Sequence, residues 1–108
     1  MKHQLDLAAK TLVANIPGDL LSTNIDTVRK ELFTILDAPQ VRQADWDTLK
    51  LDLKSAKMID SAGLNFLVSL VKTMRDRKVT IRAAISSPQV KRTFLFTRLD
   101  QHIDLLAA

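Results

Sequence analysis

The apolar positions of this sequence repeat with two periods, one typical of helices and the other of strands. The clearest helical pattern runs from about residue 61 to 77, and a second runs from about 24 to 36. In the first pattern, the apolar residues on one face are Leu64, Leu67, Val68, Val71 and Met74. The second is expected to end before Pro39, because the residue preceding a proline resists helical backbone angles.

A third helix is expected after Ser86-Ser87, since Pro88 suits a first helical turn. Its expected apolar stripe is Val90, Phe94 and Leu95, with Lys91 and Arg92 on a solvated face.

Alternating apolar and polar residues predict strands in most of the remaining segments. Residues 48–53 and 79–85 alternate most clearly, and residues 4–16 alternate loosely, as one or two strands with a bend near Ala9-Lys10. In this N-terminal segment one register is shared by Leu5, Leu7, Leu12, Ala14 and Ile16. Residues 99–106 are expected to close the domain as a short strand or a docked turn. The order strand, helix, strand over residues 48–85 requires a crossover, so these two strands are expected to be parallel.

Length and composition indicate one compact α/β domain over residues 1–108. Of these residues 46% are hydrophobic and 26% are charged, which suffices for one core and not for two. A polar connector is expected at residues 39–47. Trp46 within it either packs over the core or marks an exposed contact, and packing is favoured because tryptophan is usually mostly buried. No apolar run resembles a signal peptide or approaches the length of a membrane span, so we expect cytoplasmic residence without membrane insertion.

Several function classes are disfavoured by what the sequence lacks. It has no cysteine, and its two histidines, His3 and His102, lie at opposite ends of the chain, so no metal site is expected. It also has no phosphate-binding glycine loop and no nucleophile elbow, so neither a cofactor nor an enzymatic activity is expected. The net charge is +4, but the basic residues are scattered and are not interleaved with aromatic ones. Direct binding of nucleotide or nucleic acid by the basic helix 88–97 is therefore the weakest hypothesis, and it would predict steep salt dependence.

The most informative stretch, residues 58–70, joins the end of a short apolar run to the start of the clearest helix. Asp60 and Ser61 fall where the free amides of a first helical turn need an oxygen acceptor, and Gly63 leaves room for the backbone. These side chains either cap the helix only or also form a contact or modification site at Ser61. A phosphate at a helix N-terminus is compatible with the fold and would add a charge of roughly −1.5 to −2.

Leu51-Asp52-Leu53 and the residues that follow it to Leu64 resemble the signature of the STAS domain family, in particular the bacterial anti-sigma-factor antagonists. Two more segments resemble landmarks of this family: residues 16–20, Ile-Pro-Gly-Asp-Leu, and the junction at residues 85–94. The resemblance implies a mixed sheet of four or five strands with about three helices, packed mainly on one face.

The resemblance also implies a function, in which the protein is an anti-sigma-factor antagonist of a partner-switching system. The unphosphorylated form would bind an anti-sigma factor with serine kinase activity. Phosphorylation of Ser61 would release that partner, and a serine phosphatase would restore binding. The residues expected to contact the partner are Asp60, Ser61, Ala62, Gly63, Leu64 and Asn65. The free protein is expected to be a monomer.

The motif departs from the family pattern at Ala62. Family members carry their phosphoacceptor at one of two hydroxyl positions after the aspartate, and Ala62 occupies the second, so only Ser61 can accept a phosphate. This version of the motif also resembles STAS subunits of lipid-trafficking ABC transporters. The alternative hypothesis is therefore a non-switching subunit that docks onto a transporter ATPase.

Overall fold

Five strands and four α-helices make up the computed structural model, which describes residues 1–107. The strands are β1 (Lys2–Asp6), β2 (Thr11–Asn15), β3 (Thr48–Leu53), β4 (Thr80–Ile85) and β5 (Ile103–Ala107). The helices are α1 (Ile25–Asp37), α2 (Pro39–Arg42), α3 (Ser61–Asp76) and α4 (Pro88–Phe96), and a 3-10 turn spans Leu99–Gln101.

The strands lie side by side in the order in which they occur along the chain. β1 and β2 are antiparallel and joined by a short turn, whereas β2, β3, β4 and β5 run parallel to one another. The parallel pairs are joined by crossovers that contain helices, as parallel strands require. The predicted mixed sheet, the parallel arrangement of β3 and β4 and the closing strand are confirmed.

One face of the sheet is covered and the other is open to solvent. Leu12, Leu49, Ile81 and Ile103 lie in register across four strands, and each is at most 2% exposed. Their neighbours along β3, which point to the opposite face, are only half-buried. A single core cluster joins the buried strand residues to buried residues of all four helices. The helices therefore pack on one face, as expected, although α2 raises their number from the expected three to four.

Two of the apolar stripes predicted from the helical period, those of α3 and α4, differ from the sets of residues that the fold buries. In α3 the buried residues are Gly63, Phe66, Leu67, Leu70, Val71 and Met74. Val68 is 42% exposed and Leu64 is only partly buried, so the predicted stripe was rotated toward solvent. In α4 the buried residues are Val90 and Phe94, whereas Leu95 is 48% exposed. Both helices carry more apolar residues than one buried face can hold, so periodicity alone does not select the buried set.

Two further local predictions are corrected. Leu7 does not share the register of Leu5 and Leu12, because the chain turns after β1, and Leu7 is 57% exposed. The connector at residues 39–47 begins with the short helix α2, for which Pro39 provides the first helical residue. Trp46 packs against the core as predicted, and its indole N–H donates to the Val41 carbonyl oxygen at 2.7 Å.

Candidate functional site

Asp60 caps helix α3 and ties it to a second loop. One carboxylate oxygen, Oδ1, accepts a hydrogen bond from the Gly63 amide at 3.0 Å, which is the usual contact of an N-cap residue. The other, Oδ2, accepts from the Ser22 amide at 2.8 Å. Ser22 lies in the loop between β2 and α1, so this one side chain joins the helix start to a segment 38 residues earlier.

The two hydrogen bonds also set the ionisation of Asp60. Amide donors stabilise the charged carboxylate, first from Gly63 and then from Ser22, and they lower the pKa of Asp60 below its ordinary value of 3.8. Partial burial acts in the opposite direction and is outweighed. Asp60 is therefore an anion with both oxygens engaged, and it serves as a structural group at this end of α3.

Ser61 is the first residue of α3, and its side chain is exposed. The sequence allowed both Asp60 and Ser61 to cap the helix. In the structure the capping hydrogen bond is made by Asp60, and the Ser61 hydroxyl does not cap α3. Ala62, the next residue, is partly buried against the core. The only hydroxyl of the motif thus faces solvent at a helix N-terminus, where a negative charge is favoured by the helix dipole.

Gly63 is required by close packing. A Cβ atom built on it would lie 2.3 Å from the Leu20 carbonyl oxygen and 2.8 Å from the Leu20 Cβ atom. Leu20 pairs with Ile59 in an isolated parallel bridge, which brings the β2–α1 loop against the start of α3. The prediction that Gly63 gives room to the backbone is confirmed, and the group it makes room for is Leu20.

The β2–α1 loop is the part of the site that the partner-contact prediction did not include. The Asp19 carboxylate oxygen Oδ1 accepts from the Lys57 amide at 2.7 Å and from the Met58 amide at 3.1 Å. Asn24, the residue before α1, makes no side-chain capping bond to that helix; it accepts from the Leu21 amide and donates to the Asp19 carbonyl oxygen. The sequence carried one signal for this loop, the family landmark at residues 16–20, but nothing that joined it to Asp60.

Next to Ser61 the surface is apolar to an unusual degree. Leu64, Asn65 and Val68 follow Ser61 at intervals of three, four and seven residues, so they share its face of α3. Val68 is 42% exposed and Leu64 is partly buried, while Met58, in the preceding loop, is 47% exposed. We call this surface, formed by Met58, Ser61, Leu64, Asn65 and Val68, the motif face. Of the residues predicted to contact a partner, it contains Ser61, Leu64 and Asn65, whereas Gly63 is buried and Asp60 is engaged by amides.

Within residues 1–107 no group of histidine, aspartate and glutamate side chains is arranged to hold a metal ion. Over the same residues, no helix combines the length and apolar character that crossing a membrane would require.

The model of the STAS domain family matches residues 3–107. Because this match spans almost the whole chain, the protein belongs to the STAS domain family. No protein of curated function matches the sequence.

Solved structures with the same fold include anti-sigma factor antagonists. A candidate antagonist from Thermotoga maritima has a TM-score of 0.79 and 17% identity, over 99% of this chain and 85% of that one. The antagonist SpoIIAA in its unphosphorylated form has a TM-score of 0.69 and 18% identity, over 99% and 88% of the two chains. Bacillus SpoIIAA in its phosphorylated form has a TM-score of 0.64 and 18% identity, over 99% and 91%.

Proposed function

We propose that this protein is an anti-sigma-factor antagonist that exchanges partners through phosphorylation of Ser61. The observation that carries the proposal is the exposed side chain of Ser61 at a helix start held by Asp60, on the same helix face as the exposed Val68 and the partly exposed Leu64. The apolar residues offer the partner contact area that can be desolvated. The hydroxyl lies within that area, so a change at one atom acts on the whole interface.

A phosphate on Ser61 would oppose binding for an electrostatic reason. It adds a charge of roughly −1.5 to −2 to a face whose other members are three apolar side chains and one uncharged amide, Asn65, beside the Asp60 carboxylate. Burying this charge against a partner without a counter-charge costs several kcal/mol, which is enough to exchange one partner for another. The fold would tolerate the modification, because the side chain is exposed and the amides of the first helical turn favour an anion.

The proposed cycle needs two further proteins. An anti-sigma factor with serine kinase activity would bind the unphosphorylated protein and phosphorylate Ser61, and a serine phosphatase would remove the phosphate. In this scheme the protein itself is a non-catalytic binding module that acts in the cytoplasm as a monomer. The partner would contact the motif face together with the adjoining residues Asp60 and Ala62, and the predicted contact residue Gly63 would act from below this surface, because it is buried against Leu20.

The test compares three variants expressed in the native host. Ser61→Ala is expected to retain the anti-sigma factor under all growth conditions, and Ser61→Asp to lose it. Ser69→Asp is the matched control, because it places the same charge on an exposed position of the same helix, eight residues further along. Affinity purification followed by mass spectrometry identifies the retained proteins and shows whether Ser61 of the unaltered protein carries a phosphate. Equal retention by Ser61→Ala and Ser61→Asp would overturn the proposal.

The same experiment addresses the alternative that Ala62 favours. A constitutive subunit of a transporter would co-purify with an ATPase whether or not Ser61 can be modified, and Ser61 would stay unmodified across growth conditions. That result would replace the switching cycle by permanent docking through the same face of α3.

A further inference from the structure

The outer face of helix α4 is exposed and apolar where most helices of a soluble domain are polar. Phe96, at the end of the helix, is 92% exposed, and Leu95 beside it is 48% exposed. The helix is anchored by Val90 and Phe94, which are buried on its inner face. Leu95 and Phe96 lie three and four residues after Arg92, so both side chains neighbour Arg92 on the helix surface. We call these three residues the outer face of α4.

This apolar surface lies in a strongly basic region. From Ser86 to Arg98 the sequence contains Lys91, Arg92 and Arg98 and no acidic residue. Beside the first turn of α4, a hollow of about 530 Å³ is lined by Lys54, Lys57, Ser86, Ser87, Pro88, Gln89 and Arg92. None of these lining residues is acidic. Two carboxylates lie next to them: that of Asp52, 3.8 Å from Lys54 Nζ, and that of Asp19, which accepts from the Lys57 amide.

These charges and the shape of the surface decide what can cover it. A second copy of the chain would bring like charges together across the contact, because Arg92 belongs to the surface itself and Lys91 and Arg98 adjoin it. The occupant must therefore be anionic. Phe96 projects from the surface, and the hollow that adjoins the helix is reached by Arg92 and not by Phe96. A projecting apolar side chain flanked by cations fits an occupant that deforms around it.

We propose that the outer face of α4 is a peripheral docking surface for an anionic lipid bilayer. Phe96 and Leu95 enter the boundary between headgroups and acyl chains, while Arg92, Lys54 and Lys57 contact lipid phosphates at the basic hollow. Because Arg92 and Phe96 lie one helical turn apart on the same side of α4, we expect this side to rest on the membrane surface. With nine residues, a length of about 14 Å, α4 is too short to cross a bilayer. This inference does not depend on the proposed partner-switching cycle, because it uses a different helix.

The test is flotation of the full chain with lipid vesicles at low and high salt. The protein is expected to float with vesicles of equal parts phosphatidylglycerol and phosphatidylcholine, to stay in solution with phosphatidylcholine alone, and to be released by high salt. Phe96→Ser is expected to weaken the binding roughly tenfold or more, because the ring no longer leaves water. Arg92→Gln is expected to weaken it about fivefold, the usual effect of one cation near an anionic surface.

Leu7→Ser is the matched control. Leu7 is also an exposed apolar residue, at 57%, but it lies after β1, at the opposite end of the sheet from β5. This variant is expected to bind as the unaltered protein does, and thermal unfolding of each variant shows that the fold is kept. Failure of the unaltered protein to float with the anionic vesicles would overturn the proposal and direct attention to a folded acidic protein with a socket for Phe96. Flotation of Phe96→Ser equal to that of the unaltered protein would also overturn it, because charge alone would then explain the binding.

Discussion

At the residue scale, the start of α3 depends on the carboxylate of Asp60 and on the lack of a side chain at Gly63. Asp60 supplies two acceptor oxygens to amides from two different segments, and Gly63 supplies the absence of a side chain where Leu20 passes. Ser61 lies between them and takes part in neither contact. The architecture of the helix start therefore leaves its one hydroxyl available for a partner or for modification.

Replacing Gly63 by Ala is expected to destabilise the protein by about 1–3 kcal/mol, because the added methyl group would meet the Leu20 carbonyl oxygen and force the helix away from its loop. Gly18→Ala is the control, since a Cβ atom there would have no neighbour within 4 Å. That variant is expected to stay within about 0.5 kcal/mol of the unaltered protein. Urea unfolding measures both, and similar stabilities for the two variants would contradict the packing argument.

The charge of Asp60 gives a second prediction, a pH-dependent contribution to stability. Its pKa is lowered in the folded state, so the contribution is fully present above the ordinary value of 3.8 and is lost as the pH falls through the folded-state value. Asp60→Ala is expected to have a lower Tm than the unaltered protein at neutral pH, and the difference should shrink in acid. Asp60→Asn keeps a capping oxygen and should lie between the two at neutral pH. A Tm difference for Asp60→Ala that does not change with pH would mean that the charge has no part in it.

At the scale of the single element, the two ends of α3 are closed by different means. The start uses a side chain, as described, whereas the end uses the backbone. The Val79 amide donates to the Met74 carbonyl oxygen at 2.8 Å, and the Lys78 amide donates to that of Arg75 at 3.0 Å. This is the Schellman arrangement, and it places Lys78 in the left-handed region at φ 60°. Glycine is the usual residue at that position because a side chain is strained there.

Lys78→Gly is therefore expected to stabilise the protein by about 0.5–1 kcal/mol, the relief of left-handed strain less the entropy that a glycine loses on folding. Lys72→Gly makes the same replacement at an exposed position inside α3 and should destabilise by about 1 kcal/mol. Chemical denaturation of the two variants gives both signs. Destabilisation by Lys78→Gly would show that the lysine side chain makes a contact that outweighs the backbone strain.

At the scale of the whole molecule, the parallel arrangement of the strands places the segments of the candidate site next to one another, at the carboxyl ends of β2 and β3. β2 and β3 are parallel neighbours, so the loops that follow their carboxyl ends meet, and this is the edge at which open α/β sheets usually present their sites. Hydrogen bonds join the two loops: the Ser22 amide donates to the Asp60 carboxylate, and the Lys57 and Met58 amides donate to the Asp19 carboxylate. α3 starts from this edge, and α4 starts one crossover further along the sheet. The motif face and the outer face of α4 therefore belong to separate helices on the same covered face of the sheet.

The sequence by itself determined the strands, the long helices, the parallel crossover and the motif that begins α3. These follow from local rules, because alternation, helical period and capping residues act between near neighbours along the chain. It also determined that Ser61 carries the only hydroxyl at the two positions after Asp60, since Ala62 has none.

Only the tertiary structure decided which apolar residues of α3 and α4 are buried and which loops meet. The helical period groups Leu64, Val68 and Leu95 with other apolar residues of their helices, but the folded chain buries Phe66, Leu70 and Phe94 in the core. Asn24 and Asp60 both stand at the start of a helix, where either could act as a local cap. In the folded chain Asn24 donates to the Asp19 carbonyl oxygen, and Asp60 accepts from the distant Ser22 amide. These choices depend on segments far apart in sequence, and for this reason both exposed surfaces from which we infer function became visible only in the folded chain.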